Sequence, residues 1–341
     1  RRSSALKSKI RGGNMNTENR DIFILIESEN GKPKESSLEL FTAAMTVKAA
    51  TGGSITAVAL GDDTAEAVKQ AAAYGADRII RAEDERLGTY STCRYTNAMY
   101  ELIKKYSPDA VMISATPNGK DLAPRLARRL ATGITANCTE ISADGESGLI
   151  SWNMPAPGGI MATILCEHSR PQTGTVCPGA FRKGVPALSR TAEIIDEHID
   201  TDADDGLQLL RSVLAPDSGE LDIAAADIIV AGGRGMGSAE NFELIRKLAK
   251  KLGAAVGASR AAVDLEWAEQ KNLVGQTGKL VRPKLYIACG ISGALQHVVG
   301  MRDAKCIIAI NSDKDAPIFS IADYAIVGDA VDIISHLIEE F

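Results

Sequence analysis

The chain has 341 residues, enough for two domains that each bury a core, which excludes a disulfide-stabilised miniprotein and a short peptide module. Hydrophobic residues make up 45% and charged residues 24%, and no apolar run reaches the ~20 residues that span a bilayer. The net charge is −6, but the first thirteen residues hold five basic side chains and no acid, so the remainder carries −11. Such an acidic body argues against nucleic-acid binding, which needs clustered cations.

The basic segment at the start is a separate feature. It is rich in Arg and Ser, as an organellar presequence would be, yet it runs through Gly12 and Gly13 to Met15, a suitable first residue. We expect residues 1–20 to be an added leader or disordered, and the protein to be cytoplasmic without membrane insertion. A genuine presequence would instead place it in the mitochondrial matrix.

From Asp21 onward, short apolar runs alternate with amphipathic stretches, which is typical of a parallel sheet covered by helices. The first half predicts strands and helices in this order: strand 21–28, helix 37–50, strand 54–60, helix 65–74, strand 78–82, helix 92–106, strand 110–115 and a helix within 119–133. Three β-rich runs follow, at 134–143, 148–156 and 161–168, and we interpret them as strands that close this domain.

An acidic run, EIIDEHIDTDADD (193–205), holds seven acids and leads into a polar stretch. It lacks the fixed Gly and terminal Glu of an EF-hand loop, which favours a solvated linker or edge over a metal site. We therefore place the domain boundary here, with an N-terminal α/β domain over 21–210 and a C-terminal domain over 211–341.

The second half restarts the same rhythm. It predicts strands at 227–231, 254–259, 285–290, 306–311 and 324–328, a helix capped by Ser238, a helix opening at Ser292 and a last helix over 331–340. The sequence thus predicts an α/β protein with two Rossmann-like domains on mostly parallel sheets.

Two glycine-containing turns follow strands in this second half, GGRGMG (232–237) and ACGISGALQH (288–297). Backbone N–H groups and a helix N-terminus in such a position can receive a phosphate, although a tight β–α turn explains the glycines almost equally well. Two such turns in one sheet suggest a dinucleotide. The six cysteines form no CxxC pair and no GxSxG motif occurs, so neither a zinc site nor a serine nucleophile is predicted.

Three segments of the second half resemble a known family. They are ASRAAVD (258–264), VGQTGKLVRPKLYIACGISGALQH (274–297) and AINSDKDAPIFSIADYAIVGD (309–329), and they are similar to the FAD-binding domain of the electron transfer flavoprotein alpha subunit. The GGRG turn also stands where the family has it. GKDLAPRLARRLATGITANCTE (119–140) and SRPQTGTVCPGAF (169–181) extend the resemblance to the first half. The resemblance implies FAD as the cofactor.

The resemblance also implies which residues contact the flavin ring. Arg260 would lie against the ring, where a cation about 4 Å from the developing negative charge is worth at most roughly 4 kcal/mol, or 0.15–0.2 V for one electron. The competing interpretation is a surface ion pair with Asp264. Thr277 would hydrogen-bond the flavin N5, Gln276 would contact the same ring, and His297 would offer a proton or a positive charge near O2.

The remaining implied contacts serve the rest of the cofactor. Ser292 and Gln296 would meet the pyrophosphate and ribityl chain, while Asn311 and Asp329 would serve the adenosine half. The full set of expected cofactor-binding residues is Arg234, Ser259, Arg260, Gln276, Thr277, Gly290, Ser292, Gly293, Gln296, His297, Asn311 and Asp329. No catalytic acid or base is expected, because the cofactor carries the chemistry.

The function that the resemblance implies is electron carriage rather than stand-alone catalysis. The chain would be the alpha subunit of a heterodimer, with a beta subunit against its first domain, moving electrons between an acyl-CoA dehydrogenase or another flavin dehydrogenase and a further acceptor. A bifurcating variant, oxidising NADH with ferredoxin as the low-potential acceptor, stays open. So do a self-sufficient NAD-dependent enzyme and a structural protein that has lost the flavin.

Overall fold

A computed structural model describes residues 20–156, 160–199, 221–224 and 226–340. These residues form two compact units. The first comprises described residues up to 199 except 178–180, and the second comprises 178–180 and the described residues from 221 onward. The predicted leader up to residue 19 and the predicted boundary at 210 lie outside the described residues.

The first unit is built on a seven-stranded sheet in which every neighbouring pair is parallel, in the order β12-β5-β4-β1-β6-β11-β7. A three-stranded antiparallel sheet, β10-β9-β8, and the short hairpin β2-β3 complete it. Its strands are β1 (Ile22–Ile26), β2 (Ser28–Glu29), β3 (Lys32–Pro33), β4 (Ile55–Gly61), β5 (Arg78–Glu83), β6 (Ala110–Ser114), β7 (Ile134–Cys138), β8 (Glu140–Ala143), β9 (Ile150–Ala156), β10 (Ile160–Ile164), β11 (Gln172–Val176) and β12 (Glu193–Asp196). Its helices are α1 (Glu35–Thr51), α2 (Ala65–Tyr74), α3 (Thr92–Tyr106) and α4 (Pro117–Leu130).

The second unit has a five-stranded, wholly parallel sheet in the order β14-β13-β15-β16-β17. Its strands are β13 (Ile228–Gly232), β14 (Ala255–Ala258), β15 (Leu285–Cys289), β16 (Ile307–Asn311) and β17 (Tyr324–Val327). Its helices are α5 (Ala239–Leu252), α6 (Arg260–Asp264), α7 (Leu295–Val298) and α8 (Ala330–Glu340). Together the two units confirm the predicted fold class, two Rossmann-like units on parallel sheets.

Helix starts follow the capping chemistry that the sequence offers. Ser238 caps α5, because its hydroxyl accepts a hydrogen bond from the Asn241 N–H at 3.2 Å, and Gly253 ends the helix in the left-handed conformation. The buried face of α5, with Phe242, Ile245 and Leu248, packs into the core on one side of the second sheet. None of the described helices is long and apolar enough to cross a membrane.

Strand β11 was missed by the sequence reading because its composition, QTGTV, is polar. All five residues are nevertheless buried between β6 and β7. The Gln172 amide is satisfied by the Asp109 carboxylate at 2.9 Å and by the Gly148 carbonyl at 2.9 Å, so a polar side chain costs little there. A Cβ on Gly174 would lie 2.3 Å from the Trp152 ring, so only glycine fits.

Two further expectations need correction. Of the three β-rich runs, only β7 joins the parallel sheet, while β8, β9 and β10 form a sheet of their own. The prediction that a helix begins at Ser292 is wrong. Residues 291–294 form an open turn, and α7 is a single turn that begins at Leu295, because Gly293 takes a left-handed conformation (φ +87°) that stops a helix from starting earlier.

The described start of the acidic run is β12, an edge strand, where Asp196 pairs with Arg81 at 2.6 Å.

Candidate functional site

The topology of the second sheet singles out one edge. The chain passes from β13 to β14 on one side and then to β15 on the other, so the strand order reverses between β13 and β15. In open parallel sheets, ligands bind beyond the carboxyl ends of the strands at such a reversal.

The residues expected to bind the cofactor lie along that edge. Eight follow or end the five strands: Arg234 after β13, Ser259 and Arg260 after β14, Gly290, Ser292 and Gly293 after β15, Asn311 at the end of β16, and Asp329 after β17. The other four lie in two segments joined to it. The 273–279 segment bonds β14 through the Val274 N–H and the Ala258 carbonyl (3.0 Å), and the Gln276 N–H donates to the Gln296 carbonyl (2.7 Å). The structure therefore gathers Gln276, Thr277, Gln296 and His297 at the same edge.

The first glycine turn, after β13, is closed by its own hydrogen bonds. The N–H groups of Gly233 and Gly235 donate to the carbonyls of Cys289 and Gly290, both at 2.9 Å, and those of Met236 and Gly237 donate within the turn at 3.1 Å. The sequence suggested that these donors could bind a phosphate, but in the structure they are already bonded. The glycines are needed for close packing, since a Cβ on Gly233 would lie 2.3 Å from the Gly290 carbonyl oxygen.

The second turn, after β15, is open. Gly290 has φ +60° and Gly293 has φ +87°, and a Cβ on Gly293 would lie 2.2 Å from the Ile318 nitrogen. Among the described residues, no acceptor bonds the N–H groups of Ser292 or Gly293. Successive backbone N–H groups of this kind can hold an anion. The glycine N–H groups of the first turn are therefore bonded, whereas those of Ser292 and Gly293 in the second turn are open to an anion.

Arg234 supplies a cation beside these donors. It follows β13 in the first turn, and its side chain is exposed. Within the described part of the chain it has no acidic partner. A guanidinium with no carboxylate partner can pair with a phosphate in a bidentate manner.

Arg260 begins α6, which Ser259 caps by accepting a hydrogen bond from the Ala262 N–H at 3.4 Å. Its Nε donates to Asp264 Oδ1 at 2.7 Å, the surface ion pair that the sequence left open as the competing interpretation. The side chains of both partners are more than half exposed, at 62% and 56%. An ion pair this exposed contributes at most about 1 kcal/mol, so it holds the guanidinium only weakly.

The 275–279 loop brings two polar side chains to the edge. Gly275 has φ +142°, and a Cβ there would lie 2.6 Å from the Gln296 carbonyl oxygen, so the loop needs glycine at this point. Gln276 and Thr277 follow directly, and both are exposed. Neither side chain is hydrogen-bonded to any described residue, which leaves an amide and a hydroxyl available to a ligand.

His297 lies behind this loop and is 6% exposed. Its Nε2 is 3.0 Å from the Tyr286 hydroxyl, and its Nδ1 has no hydrogen-bond partner among the described residues. Burial lowers the pKa of His297 to about 4, although the nearby Val274 backbone opposes the shift. Of the two roles expected from the sequence, the structure therefore favours a neutral imidazole that donates a proton over a positive charge.

Asn311 and Asp329 already have structural roles at the edge. The Asn311 amide donates to the Ile291 carbonyl at 2.9 Å, and its oxygen accepts from the Asp313 N–H, so it braces the second turn. Asp329 accepts from the Val331 N–H at 2.7 Å at the start of α8. Their expected contacts with the adenosine half stay predictions.

Tyr286 was missed by sequence reasoning. It lies on β15, is fully buried and is the described partner of the His297 imidazole. The only signal was a tyrosine in a strand followed eleven residues later by a histidine, and strand tyrosines are common enough that this pattern carries little information. The contact depends on the turn that brings His297 back over the sheet.

The residues at this edge fit FAD. Unpaired backbone donors and the Arg234 cation suit a pyrophosphate, while Gln276, Thr277 and the buried Nδ1 of His297 offer polar groups to a ring with several acceptors. A buried polar atom without a partner is costly. His297 Nδ1 is the atom of this kind at the edge of the second sheet, and the other four among the described residues lie in the first unit, so it is a candidate contact for a ligand.

Comparison with known proteins agrees with this assignment. Residues 22–201 match the sequence family described as electron transfer flavoprotein domain, and residues 222–302 match the electron transfer flavoprotein FAD-binding domain. The electron transfer flavoprotein subunit alpha of Thermoanaerobacterium thermosaccharolyticum is 43% identical over 94% of this chain and 97% of its own length. That of Clostridium acetobutylicum is 42% identical over 94% and 96%, and protein FixB of Clostridium saccharobutylicum is 43% identical over 94% and 95%.

These matches span both units at well above 30% identity. The chain belongs to the electron transfer flavoprotein alpha subunit and FixB family, an electron-transfer family, and its residues 222–302 are the FAD-binding domain of that family.

Proposed function

We propose that the chain is the FAD-carrying alpha subunit of a heterodimer that accepts electrons from a flavin dehydrogenase, of the acyl-CoA dehydrogenase type, and passes them to a further acceptor. The observation that carries the proposal is the edge of the second sheet. There, unpaired backbone donors, two exposed arginines and a buried imidazole converge in a domain that matches a FAD-binding family.

FAD, when bound, supplies reversible one- and two-electron chemistry, so this chain needs to hold, orient and tune it. The N–H groups of Ser292 and Gly293, with Arg234, hold the phosphates. Gln276 and Thr277 orient the ring through an amide and a hydroxyl. His297 donates from a neutral imidazole, and the permanent charge of Arg260 favours electron acceptance.

The first unit is proposed to contact the beta subunit. Its antiparallel sheet ends in β10, where three apolar side chains are exposed: Ile160 at 63%, Met161 at 41% and Ile164 at 43%. An edge strand with exposed apolar side chains favours association with another chain, because burial of that surface is stabilising. The alpha chain alone is then incomplete.

The proposal is tested on the complex purified with its partner subunit. We expect a yellow complex that contains FAD, whose flavin absorbance bleaches when a reduced acyl-CoA dehydrogenase is added and recovers with an oxidised acceptor. A colourless complex that cannot be reconstituted with FAD would overturn the carrier function. Direct reduction by NADH, with a second FAD in the partner and reduction of ferredoxin, would instead identify the bifurcating form.

The cellular compartment is part of the same proposal. We expect a cytoplasmic protein, since the relatives compared above are bacterial proteins. They give no support to the mitochondrial alternative. Fractionation of the source cells with an antibody against the chain checks this expectation.

A further inference from the structure

The contact between Tyr286 and His297 joins a strand of the second sheet to the cofactor edge. Tyr286 is fully buried on β15, and its hydroxyl oxygen lies 3.0 Å from His297 Nε2. No other described residue bonds this hydroxyl. The two rings are 6.1 Å apart at an interplanar angle of 60°, so they meet through the hydroxyl rather than by stacking.

A count of donors and acceptors decides which atom carries the proton. If Tyr286 donates to Nε2, the imidazole proton is on Nδ1, and Nδ1–H is the single buried group without a full hydrogen bond, with the Val274 backbone near the ring. If Nε2–H donates to Tyr286 instead, the phenolic proton and the Nδ1 lone pair are both left without a partner. Each buried group without a partner is destabilising, so the arrangement that leaves only one such group is favoured.

The protonation states of both groups agree with this arrangement. Burial raises the pKa of the Tyr286 hydroxyl well above its usual value, so it keeps the proton that it donates. Burial lowers the pKa of His297, so the imidazole carries one proton rather than two at neutral pH.

We propose that Tyr286 is a positioning residue that fixes His297 as the Nδ1–H tautomer and thereby aims a neutral donor at an acceptor atom of the flavin. The inference rests on the proposed function for its ligand and on the geometry for its tautomer. The backbone at His297 packs against the Gln276–Thr277 loop, because the Gln276 N–H donates to the neighbouring Gln296 carbonyl at 2.7 Å. One buried hydrogen bond thus connects the sheet to the orientation of a ligand-facing donor.

The test starts from the imidazole itself, in the heterodimer with the partner subunit, in which only this chain is labelled with ¹⁵N-histidine. The spectrum of the ligand-free chain shows which ring nitrogen of His297 is protonated, and a His297→Gln variant assigns its signals among the four histidines. We expect Nδ1–H, and we expect that signal to shift when FAD is added. An Nε2–H tautomer in the wild-type chain would overturn the proposal, as would an Nδ1–H signal that is unchanged in the FAD-loaded chain.

Tyr286→Phe then removes only the hydroxyl. We expect a mixture of His297 tautomers, an FAD dissociation constant about two- to tenfold higher, and a changed midpoint potential. Tyr324→Phe is the matched control, since Tyr324 is in the same sheet and 64% exposed, and it should leave all three readouts unchanged. Tyr286→Phe with wild-type tautomer and affinity would refute the role of the hydroxyl. A heterodimer with the partner subunit that holds no FAD in any variant would refute the proposed function, and the ligand-free spectrum would still decide the tautomer.

Discussion

The two parallel sheets each have a point where the strand order reverses. A carboxylate closes this point in the first unit, whereas the corresponding point in the second unit is open. In the first unit the reversal lies between β1 and β6. Glu27, directly after β1, accepts from Lys34 Nζ at 2.7 Å, Thr116 Oγ1 at 2.5 Å and Asn118 Nδ2 at 3.2 Å. The carboxylate therefore occupies the N-terminus of α4, the position where an external anion would bind.

In the second unit the reversal lies between β13 and β15, and no carboxylate of a described residue bonds the turns there. Glycine turns meet backbone to backbone there, the N–H groups of Ser292 and Gly293 have no acceptor among the described residues, and neither has the buried Nδ1 of His297 a partner among them. The same topology thus gives a crevice closed by a carboxylate in one unit and an open crevice in the other, although the buried Ser114 hydroxyl at the end of β6 also has no hydrogen-bond partner among the described residues. The deciding factor is whether the chain supplies its own anion.

The largest expected effect comes from a side chain placed between the glycine turns. Gly290→Ala adds a Cβ 2.7 Å from the Gly235 carbonyl carbon at φ +60°, so strain and clash together should cost more than about 3 kcal/mol and abolish FAD binding. Gly253→Ala is the matched control. It has the same φ of +60° but nothing within 4 Å of its Cβ, so it should cost only about 1–2 kcal/mol. Urea denaturation and FAD titration measure both, and equal losses would show that the turns do not need close packing.

The buried imidazole should make the second unit sensitive to acid. In the unfolded chain His297 titrates near pH 6.5, whereas in the folded chain its pKa is about 4, so between these values only the unfolded chain binds the proton. Stability should be level above pH 6.5 and fall by up to about 3 kcal/mol as the pH drops to 4. Hydrogen exchange of the β15 amides in the ligand-free chain measures this.

His297→Gln should flatten that pH dependence. His168→Gln, at a side chain that is 92% exposed, should leave it as in the wild-type chain. A wild-type profile with no slope between pH 6.5 and 4 would contradict the buried neutral imidazole.

The crevice of the first unit should depend on its carboxylate. Glu27→Gln weakens three hydrogen bonds to a charged acceptor, so the first unit should lose roughly 2 kcal/mol, while FAD affinity stays within about twofold. Glu29→Gln is the control, because Glu29 is 70% exposed and 3.6 Å from Lys34, and it should have almost no effect. Loss of FAD from the Glu27→Gln variant would contradict the assignment of a purely structural role to the first-unit crevice.

The smallest expected effect concerns Arg260. Its side chain is 62% exposed, so solvent screens its charge, and Arg260→Ala should lower the flavin midpoint potential by roughly 40 mV, equivalent to about 1 kcal/mol for one electron. This is well below the 0.15–0.2 V limit that the sequence allowed. Arg282→Ala removes a similar ion pair, with Asp303, before β15 at the opposite edge of the sheet, and should leave the potential unchanged. Equal midpoint potentials in the two variants would show that Arg260 does not affect the flavin potential.

Periodicity alone predicted most elements of this protein. Helices α2 and α3 begin and end where the sequence placed them, because each has a clear apolar face and a residue at its end that stops it. Strand β11 was not predicted, because its buried Gln172 is stabilised by hydrogen bonds to the Asp109 carboxylate and the Gly148 carbonyl. These groups are distant in the chain, and no local pattern reveals them. The prediction of a helix beginning at Ser292 was wrong, because Gly293 was assumed to be helical and is left-handed in the structure.

Local motifs in a fixed order were enough to predict the fold class, the family and a dinucleotide at the glycine turns of the second sheet. Three features could be seen only in the folded chain: the bonded glycine N–H groups of the first turn, the Glu27 carboxylate in the first-unit crevice, and the neutral His297 in contact with Tyr286. The physical reason is that hydrogen-bond satisfaction and desolvation depend on groups distant in the chain. They therefore become visible only when the sheets bring those groups together.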